Sequence, residues 1–419
     1  MKILIIGGGG REHAMARAIS ASKKCTHLFA APGNPGIAEF ATCLNLPIDD
    51  HLSIISECQK LAIELVVIGP EVPLVAGLAD RLRAHEILVF GPSAAAARLE
   101  GSKYFARDFC QRYNIPQPAY ARFTDSKQAK AYASKIGPEC VIKADGLAAG
   151  KGVVVCSTEK QAHHAIDMML DGAFGDASQT IIVEACISGP EISAFALIDG
   201  EDVIWLASAR DHKRAYDGDE GPNTGGMGAV SPSPDETSEL QNDIIENILK
   251  PTAKGMVSDG APYTGILYAG LMLTNEGPQV IEFNCRFGDP EAQVILPRLE
   301  SDLLTIIIAH CNHQQHLAEV LFSPDIAITV IMASKGYPGN YQSGSIIKGI
   351  DSFTEESGKF IYHSGTGENA DGNIIAKGGR VLSVTAIANS YAQARVRAYE
   401  TVSSIEWSDG FYRTDIADF

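Results

Sequence analysis

Short apolar strands alternate with helices along the first hundred residues. Apolar runs predict strands at residues 2–6, 27–31, 65–68 and 87–90, and helical periodicity predicts helices at 14–20, 52–61 and about 71–84. Each predicted strand is followed by a glycine or a proline, which ends regular structure. Because strands that alternate with helices pair in parallel through crossover connections, the pattern predicts an open parallel α/β domain over residues 1–100.

A second, larger α/β domain is predicted over residues 101–324. Its predicted helices lie at 104–113, 126–135, 159–170 and 236–255, with two more between Asp289 and about residue 310. Its predicted strands lie at 140–144, 153–156, 180–184, 192–197, 205–209 and 265–274. Pro116 and Pro118 mark a hinge, so residues 120–188 are predicted to form a small mobile lid subdomain.

The last part of the chain, residues 325–419, is predicted to be a C-terminal α+β domain. Strands are predicted at 327–333, 360–362 and 380–388, and a helix at 391–403. The strands and the helix are segregated rather than alternating, which is typical of the α+β class.

The stretch from Val280 to Arg286 alternates as a strand with one buried face does. Ile281, Phe283 and Cys285 are predicted to face the core, and Glu282, Asn284 and Arg286 to face the other way. Asp289 is then predicted to cap a helix. A carboxylate and an amide oxygen two residues apart are hard ligands for Mg²⁺ bridged to phosphates, so Glu282 and Asn284 are candidate metal ligands. The alternative is an ordinary half-exposed edge strand.

Composition narrows the classes of partner. The chain has 34 Lys and Arg against 51 Asp and Glu, a net charge of −17, which argues against nucleic acid and anionic membranes but not against small anionic substrates. Its nine cysteines are scattered singly, so we interpret them as buried apolar residues in a reducing cytoplasm. Neither a signal peptide nor a bilayer-spanning run is expected.

Four glycines, Gly7–Gly10, separate the first strand from the first helix. A dinucleotide-binding pattern that begins at Gly7 needs glycine where Glu12 stands, which argues against NAD. Glycines at a helix start expose backbone N–H groups to an anion, and Arg11 adds positive charge, so a site for one phosphate group is predicted. A tight turn without a ligand is the alternative. Pro70 and Glu71 follow a later strand, at the sheet edge where ligands bind.

A second glycine-rich loop, residues 145–152, connects two predicted strands. Asp145 stands where a P-loop has its first glycine, and Gly152 where it has Ser or Thr, so the loop is not a P-loop. Lys143 and Lys151 flank the glycines, and we predict a flexible lid whose lysines reach phosphates. A plain hairpin with solvated lysines is the alternative.

A long irregular segment, residues 210–234, is predicted to be an ordered site loop. Loops of this length in compact domains are usually functional or disordered. The segment begins with the charge run Arg210–Arg214, for which a solvated face is the alternative, and contains Thr224–Gly226. The nearby His310, His313 and His316 are interpreted as a helix end rather than as a metal site.

The order of these motifs resembles the ATP-grasp superfamily and, within it, the phosphoribosylamine–glycine ligase family. The resemblance covers essentially the whole chain and rests on GGGGREHA, GPEVPL, FGPSAAAARLEGSK, IKADGLAAGKGV, AFGD, DHKR, GPNTGGMGA, YTGILYAGLM and IEFNCRFGDPE. It implies an ATP-grasp fold. It also implies a reaction of purine biosynthesis in which ATP phosphorylates glycine and the amine of 5-phosphoribosylamine displaces the phosphate, giving glycinamide ribonucleotide.

The resemblance further implies roles for individual residues. Nucleotide binding is implied for Lys103, Lys143, Gly146, Gly150, Lys151, Gly152, Glu184, Ala185, Cys186, Ile187, Glu191 and Lys213. Binding of Mg²⁺, with Mn²⁺ as the alternative, is implied for Glu282 and Asn284, and catalytic roles for Arg286, Asp211 and Lys143. Substrate binding is implied for Gly8, Gly9, Gly10, Arg11, Pro70, Glu71, Asp211, Thr224, Gly225, Gly226 and Arg286. A cytoplasmic monomer or weak homodimer is expected.

Two positions depart from the family pattern. The family often has asparagine where this chain has Gly8, and a second glutamate where it has Ala185. Recognition of adenine by backbone N–H and C=O groups tolerates the second change. Two other functions stay open: a superfamily ligase with a different acid or amine, and a non-catalytic nucleotide-binding protein. The presence of Lys143, Glu282 and Asn284 argues against the latter.

Overall fold

The computed structural model describes residues 1–147, 152–173, 175, 179–350, 353 and 358–419. Gly150 and Lys151 of the predicted lid loop therefore lie outside the described residues. Within the described ranges, no helix combines the length and the apolar character that crossing a membrane requires.

A parallel sheet flanked by helices forms the first hundred residues, as the alternating pattern predicts. Its elements are β1 (Lys2–Gly7), α1 (Gly10–Ser20), β2 (His27–Pro32), β3 (Thr42–Cys43), α2 (His51–Leu61), β4 (Leu65–Ile68), α3 (Glu71–Val75), α4 (Leu78–Arg83), β5 (Leu88–Phe90) and α5 (Ala94–Gly101). The strand order is β3-β2-β1-β4-β5. Because β1 and β4 are neighbours in parallel, the loops after both strands lie side by side at the carboxyl edge of the sheet.

A small antiparallel sheet with its own core follows. The elements are α6 (Lys103–Arg112), β6 (Tyr120–Phe123), α7 (Ser126–Ile136), β7 (Cys140–Ala144), β8 (Val153–Cys156), α8 (Glu159–Leu170) and β9 (Ile181–Ala185). The strand order is β6-β9-β7-β8. Helices α7 and α8 pack on the sheet through a separate cluster that includes Ile142, Ile166 and Val183. The hairpin β7–β8 carries the second glycine-rich loop.

A large antiparallel sheet organises the rest of the chain. Before residue 325 the elements are β10 (Glu191–Asp199), β11 (Asp202–Asp211), β12 (Arg214–Tyr216), β13 (Glu220–Asn223), β14 (Gly228–Ser231), α9 (Ser238–Ile244), α10 (Lys250–Ser258), β15 (Thr264–Thr274), β16 (Gly277–Asn284), α11 (Ala292–Ile295) and α12 (Leu303–Cys311). After it come β17 (Ile326–Ser334), β18 (Lys359–His363), β19 (Thr366–Glu368), β20 (Ile374–Ala376), β21 (Arg380–Ala388), α13 (Tyr391–Ser403) and β22 (Gly410–Phe411). The order β16-β15-β10-β11-β14-β17-β21-β18 makes the sheet continuous across residue 325.

The structure corrects several predicted elements. The helix predicted over 236–255 is one continuous helical run from Ser238 to Ser258, in which a π-helical stretch at Ile245–Leu249 joins α9 to α10. The segment 210–234, predicted to be irregular, contains the hairpin β12–β13 and strand β14. Helix α5 is absent from the sequence prediction, and Ser93 caps it by accepting from Ala96 N at 3.2 Å. These elements depend on partners distant in sequence or on capping, which periodicity does not detect.

The strand that carries the predicted metal ligands is bulged. Gly270 pairs with Glu282, but Leu271 pairs with Val280, so Ile281 is the extra residue. Val280 and Phe283 are buried, whereas Ile281 is only partly buried, so the prediction that Ile281 faces the core is wrong. The prediction that Asp289 caps a helix is also wrong, because α11 begins at Ala292 after a turn.

Candidate active site

The bulge in β16 turns two backbone carbonyls toward a buried arginine. Arg107, on α6, donates to Val280 O at 2.7 Å and to Ile281 O at 2.6 Å. It also binds both carboxylate oxygens of Glu184, at 2.6 and 3.0 Å. Lys143, on β7, lies 2.9 Å from Glu184 Oε2 and donates to Ile281 O at 3.1 Å. The cluster joins the small sheet to β16 at one place.

Burial and charge act against each other in this cluster. Burial lowers the pKa of Lys143 to about 8, although Glu184 favours its charged form. Burial favours the neutral acid of Glu184, but Lys143 and Arg107 outweigh it and lower the pKa of this carboxyl. The Glu184 side chain is therefore an ionised partner of two cations rather than a group free to bind a nucleotide.

One backbone N–H group just after Glu184 already has a hydrogen-bond partner. Ala185 N donates to Ala119 O at 2.9 Å, so this amide already has a partner. Cys186 is half-buried, and its Sγ lies 3.9 Å from Ile187 O. The predicted adenine segment thus lies at the end of β9, beside the hairpin that carries the lid loop.

The lid loop is attached to the start of α6. Lys103 donates to Gly146 O at 3.2 Å. Asp145 accepts from Ser102 Oγ at 2.9 Å and from Tyr104 N at 3.1 Å through the same oxygen. The structure therefore places Lys103 beside the first part of the loop that follows Lys143.

A second group of charges surrounds Lys213. Its Nζ lies 2.5 Å from Glu191 Oε2 and 3.9 Å from Asp211 Oδ1. Burial raises the pKa of Asp211 to about 8, against the opposing charge of Lys213, and Glu291 and Glu191 raise it further. Asp211 and Glu191 in turn raise the pKa of Lys213, against its burial. Lys213 is therefore a cation held between the side chains of Glu191 and Asp211.

The donor set of β16 fits a hard divalent cation. Burial favours the neutral acid of Glu282, but Lys213, Lys103 and Lys143 lower its pKa, so it is ionised as a metal ligand must be. Asn284 follows two residues later on the same strand, opposite Tyr268. Among the described residues, no group of three or more His, Cys, Asp or Glu side chains is arranged to hold a metal. The remaining ligands would then be phosphate oxygens and water.

Arg286 is held by two acids rather than exposed to solvent. Its Nη2 lies 2.7 Å from Glu100 Oε1 and 3.4 Å from Glu71 Oε2. Glu100 also accepts from Cys285 N at 2.7 Å. Burial opposes the charge of Arg286, but Glu100 and Glu71 raise its pKa. The segment just after β16 is therefore tied to α5 and to the start of α3.

An acidic side chain of α1, Glu12, binds a backbone N–H group of the first glycine loop. Glu12 Oε2 accepts from Gly9 N at 2.7 Å, and Glu12 Oε1 lies 2.6 Å from Arg11 Nε. Arg11 also donates to Phe287 O at 3.2 Å. A Cβ atom on Gly69 would lie 2.0 Å from Glu12 Oε1, so the loop after β4 approaches this carboxylate closely. At Gly9, the chain's own acid therefore occupies the position that the sequence pattern suggests for an anion.

The loop at residues 224–226 is fixed from both sides. Thr224 N and Oγ1 donate to Lys213 O at 2.7 and 2.8 Å. Arg380, on β21, donates to Gly225 O at 2.5 Å and to Asp289 O at 2.7 Å. The loop therefore lies between Lys213 and the turn after β16, with an arginine of the C-terminal part closing the contact.

Four charged residues of the site were missed by sequence reasoning. They are Glu12, Glu100, Arg107 and Arg380. Glu100 and Arg107 interrupt the apolar faces of α5 and α6, where a charged residue indicates a buried partner. Glu12 stands three residues after Gly9, the spacing of a capping acid. Nothing in the local sequence of Arg380 distinguishes it.

Family models match nearly the whole chain in three consecutive segments. Residues 1–100 match the phosphoribosylglycinamide synthetase N domain, residues 101–292 its ATP-grasp (A) domain, and residues 327–419 its C domain. A phosphoribosylamine–glycine ligase of Brucella melitensis is 50% identical over 416 residues, which are 99% of this chain and 97% of that protein.

Solved structures agree with the family models. The crystal structure of a phosphoribosylamine–glycine ligase from Thermotoga maritima has a TM-score of 0.86 and 30% identity, covering 99% of this chain and all of that one. A biotin carboxylase domain from Hydrogenobacter thermophilus, solved with MgADP, has a TM-score of 0.76 at 18% identity, covering 98% of this chain and 91% of that one. The predicted ATP-grasp fold is confirmed.

Proposed function

This chain belongs to the phosphoribosylglycinamide synthetase family, and on that premise we propose that it ligates glycine to 5-phosphoribosylamine. The γ-phosphoryl group of ATP passes to a carboxylate oxygen of glycine, giving glycyl phosphate and ADP. The amine nitrogen of phosphoribosylamine then attacks the carbonyl carbon, the bond to phosphate breaks, and the amine loses a proton. The products are glycinamide ribonucleotide, ADP and phosphate.

The observation that carries this proposal is the meeting of three units at the end of β16. The small sheet contributes Lys143, the large sheet contributes Glu282 and, just after β11, Lys213, and the first domain meets Arg286 through Glu71. Phosphoryl transfer needs positioning and charge neutralisation rather than a protein nucleophile. This arrangement supplies cations and an anionic ligand within one cleft, next to the parallel-sheet edge.

We assign the nucleotide to the side of the cleft beneath the lid. The assignment covers Lys103, Lys143, Gly146, Gly150, Lys151, Gly152, the segment 184–187, Glu191 and Lys213. Glu282 and Asn284 would hold Mg²⁺, or Mn²⁺, whose charge would offset that of the phosphates. The 2.5 Å contact between Glu191 and Lys213 supports a shared role, in which Glu191 accepts from the ribose while Lys213 faces the phosphates.

We assign glycine and its acyl phosphate to Arg286, Asp211 and the loop Thr224–Gly226. The phosphoribosylamine would lie at Gly8–Arg11 and Pro70–Glu71. Since Glu12 already accepts from Gly9 N, the loop offers the substrate a carboxylate as well as its other N–H groups. A carboxylate beside the sugar suits hydroxyl and amine groups, which donate hydrogen bonds.

We also propose the wider setting of the reaction. The units 1–100, 101–324 and 325–419 act as domains, and residues 120–188 close over ATP. The enzyme works in the cytoplasm as a monomer or weak homodimer, without nucleic acid; its nine free thiols suit a reducing compartment. If residues 120–188 close, ATP should slow proteolysis within them, and identical cleavage with and without ATP would contradict closure.

Phosphate release by the purified protein tests the reaction. We expect release from ATP only when glycine and phosphoribosylamine are both present, with glycinamide ribonucleotide formed in equal amount. If another amino acid supports release and glycine does not, the assignment of glycine is wrong. Release without any amine acceptor at the full rate would contradict ligation altogether.

A further inference from the structure

Two buried side chains of the first domain hold the backbone N–H and C=O of one residue of the C-terminal part. Asn34 Nδ2 donates to His363 O at 2.8 Å, and His13 Nδ1 accepts from His363 N at 2.8 Å. The second hydrogen of Asn34 Nδ2 goes to Gly8 O at 2.9 Å, in the first glycine loop. The end of β18 and the glycine loop are therefore joined through a single amide group.

Both hydrogens and the oxygen of the Asn34 side-chain amide have hydrogen-bond partners. Its Oδ1 accepts from Ile37 N at 2.9 Å, and the residue is buried. Two carbonyl oxygens face the nitrogen, so a carboxylate of the same shape would place an oxygen against both. The amide is therefore required by its surroundings and not only tolerated.

His13 serves as an acceptor because its ring is neutral. The ring is buried against Tyr362, with centroids 5.4 Å apart and planes at 87°. Burial, together with His363 and Arg17, lowers the pKa of His13 to about 3. A charged ring would donate from Nδ1 and lose the bond to His363 N, so the contact persists through the neutral pH range.

The glycine loop has little room to move independently of this contact. A Cβ atom on Gly8 would lie 2.5 Å from Gly33 O, next to Asn34. A Cβ atom on Gly10 would lie 2.5 Å from Ser364 Oγ and from Gln293 Nε2. The residue after His363 thus touches the loop directly, and a shift of β18 would be transmitted to it.

We propose that Asn34 and His13 are positioning residues that set the glycine loop for the phosphoribosyl substrate by fixing it to the backbone of His363. The proposal rests on the proposed function, because it assigns the loop to phosphoribosylamine. Among the described residues, the hydrogen bonds of these two side chains go to none of those assigned to the nucleotide. Substitution of either residue should therefore weaken the binding of phosphoribosylamine and leave the binding of ATP and glycine unchanged.

Asn34→Asp and Tyr391→Phe form the first comparison. Tyr391 also joins the C-terminal part to the rest, donating to Pro232 O at 3.2 Å, but it lies far along the chain from the loop. We expect Asn34→Asp to raise KM for phosphoribosylamine and Kd for ribose 5-phosphate by about tenfold, with changes under about twofold in KM for ATP and glycine. Tyr391→Phe should leave all of these values within about twofold.

His13→Asn and His13→Phe form the second comparison, which does not depend on the folding of Asn34→Asp. The amide oxygen of His13→Asn can accept from His363 N, whereas His13→Phe has no acceptor. We expect His13→Asn to keep the wild-type Kd for ribose 5-phosphate and His13→Phe to weaken it, at equal thermal stability.

The outcomes separate this inference from the proposed function. If the wild type ligates glycine and Asn34→Asp changes the three KM values equally, or binds ribose 5-phosphate as the wild type does, the positioning role is wrong. Equal behaviour of the two His13 variants would also overturn it. If the wild type binds ribose 5-phosphate but does not ligate glycine, the proposed function fails and the binding comparison still decides the positioning role.

Discussion

The ammonium group of Lys143 lies 2.9 Å from a carboxylate oxygen of Glu184, and both side chains are buried. The same ammonium group donates to Ile281 O, which the bulge in β16 presents. A single lysine thus connects the hairpin β7–β8 to β16, the strand that carries the candidate metal ligands. A change in the protonation state of Lys143 with pH therefore affects its contacts with both the hairpin and the strand.

The first prediction concerns pH. Because burial lowers the pKa of Lys143 to about 8, the group is charged below that pH and neutral above it. We expect kcat/KM for ATP, which reports the free enzyme, to fall as pH rises through about 8. In Lys143→Arg the guanidinium stays charged, so the fall should move upward by about one pH unit or more. Superimposable profiles of the two proteins would exclude Lys143 as the titrating group.

The second prediction concerns the metal ligands. We expect Glu282→Gln to lower kcat by about a hundredfold or more, because the strand then offers the cation no charge. Glu276→Gln, an exposed change in the turn of the same hairpin, is the matched control and should retain full activity. The measurement is a Mg²⁺ titration of turnover at saturating ATP. Wild-type turnover of Glu282→Gln at saturating Mg²⁺ would remove this residue from the metal site.

The third prediction concerns stability. Arg107→Met leaves Glu184 with one of its two cations and removes one donor from each of two carbonyl oxygens, Val280 O and Ile281 O, so we expect a loss of about 3–5 kcal/mol in the free energy of unfolding. Arg112→Met, on the same helix as Arg107, removes exposed ion pairs with Asp259 and Asp108 and should cost under about 1 kcal/mol. Urea unfolding of both variants measures the difference. Equal losses would show that the buried cluster contributes no more than a surface pair.

The fourth prediction concerns the approach of Gly69 to Glu12. A methyl group on Gly69 would displace the Glu12 carboxylate, so Gly69→Ala should cost about 1–3 kcal/mol and raise KM for phosphoribosylamine. Shortening the acid in the double variant Gly69→Ala/Glu12→Asp restores space. We expect the double variant to be more stable than Gly69→Ala by thermal unfolding. If the loss of stability in the double variant equals the sum of the losses in Gly69→Ala and in Glu12→Asp, the two residues are not in direct contact.

Apolar runs and helical periodicity were sufficient for elements that have no bulge or other irregularity. The strands at 65–68, 140–144, 153–156 and 380–388, and the helices at 159–170 and 391–403, have the predicted bounds, and the parallel pairing of the first sheet follows from the alternation. The bulge at Ile281 was not predictable, because one extra residue in a pair is defined by the partner strand. The carbonyls that receive Arg107 and Lys143 depend on that bulge.

The candidate site was predictable as a set of residue types but not as a set of contacts. Glycines after β1 indicate exposed N–H groups, yet whether an external anion or Glu12 receives one of them depends on how Gly69 packs. Asp211 and Glu282 are both acids in the sequence. Their pKa values move in opposite directions because their burial and their neighbouring charges differ, and those are properties of the fold.

Strand β14 obtains one of its two neighbours from beyond residue 325, where Gly228 pairs with Val330 and Ser231 with Ala327. Cutting the chain before β17 would leave this row of N–H and C=O groups open in the middle of what had been a sheet. Such an edge recruits strands from other molecules. A shortened protein that keeps every assigned catalytic residue would therefore aggregate and lose activity. In the full chain, the residues after 325 cover this strand edge and prevent such pairing.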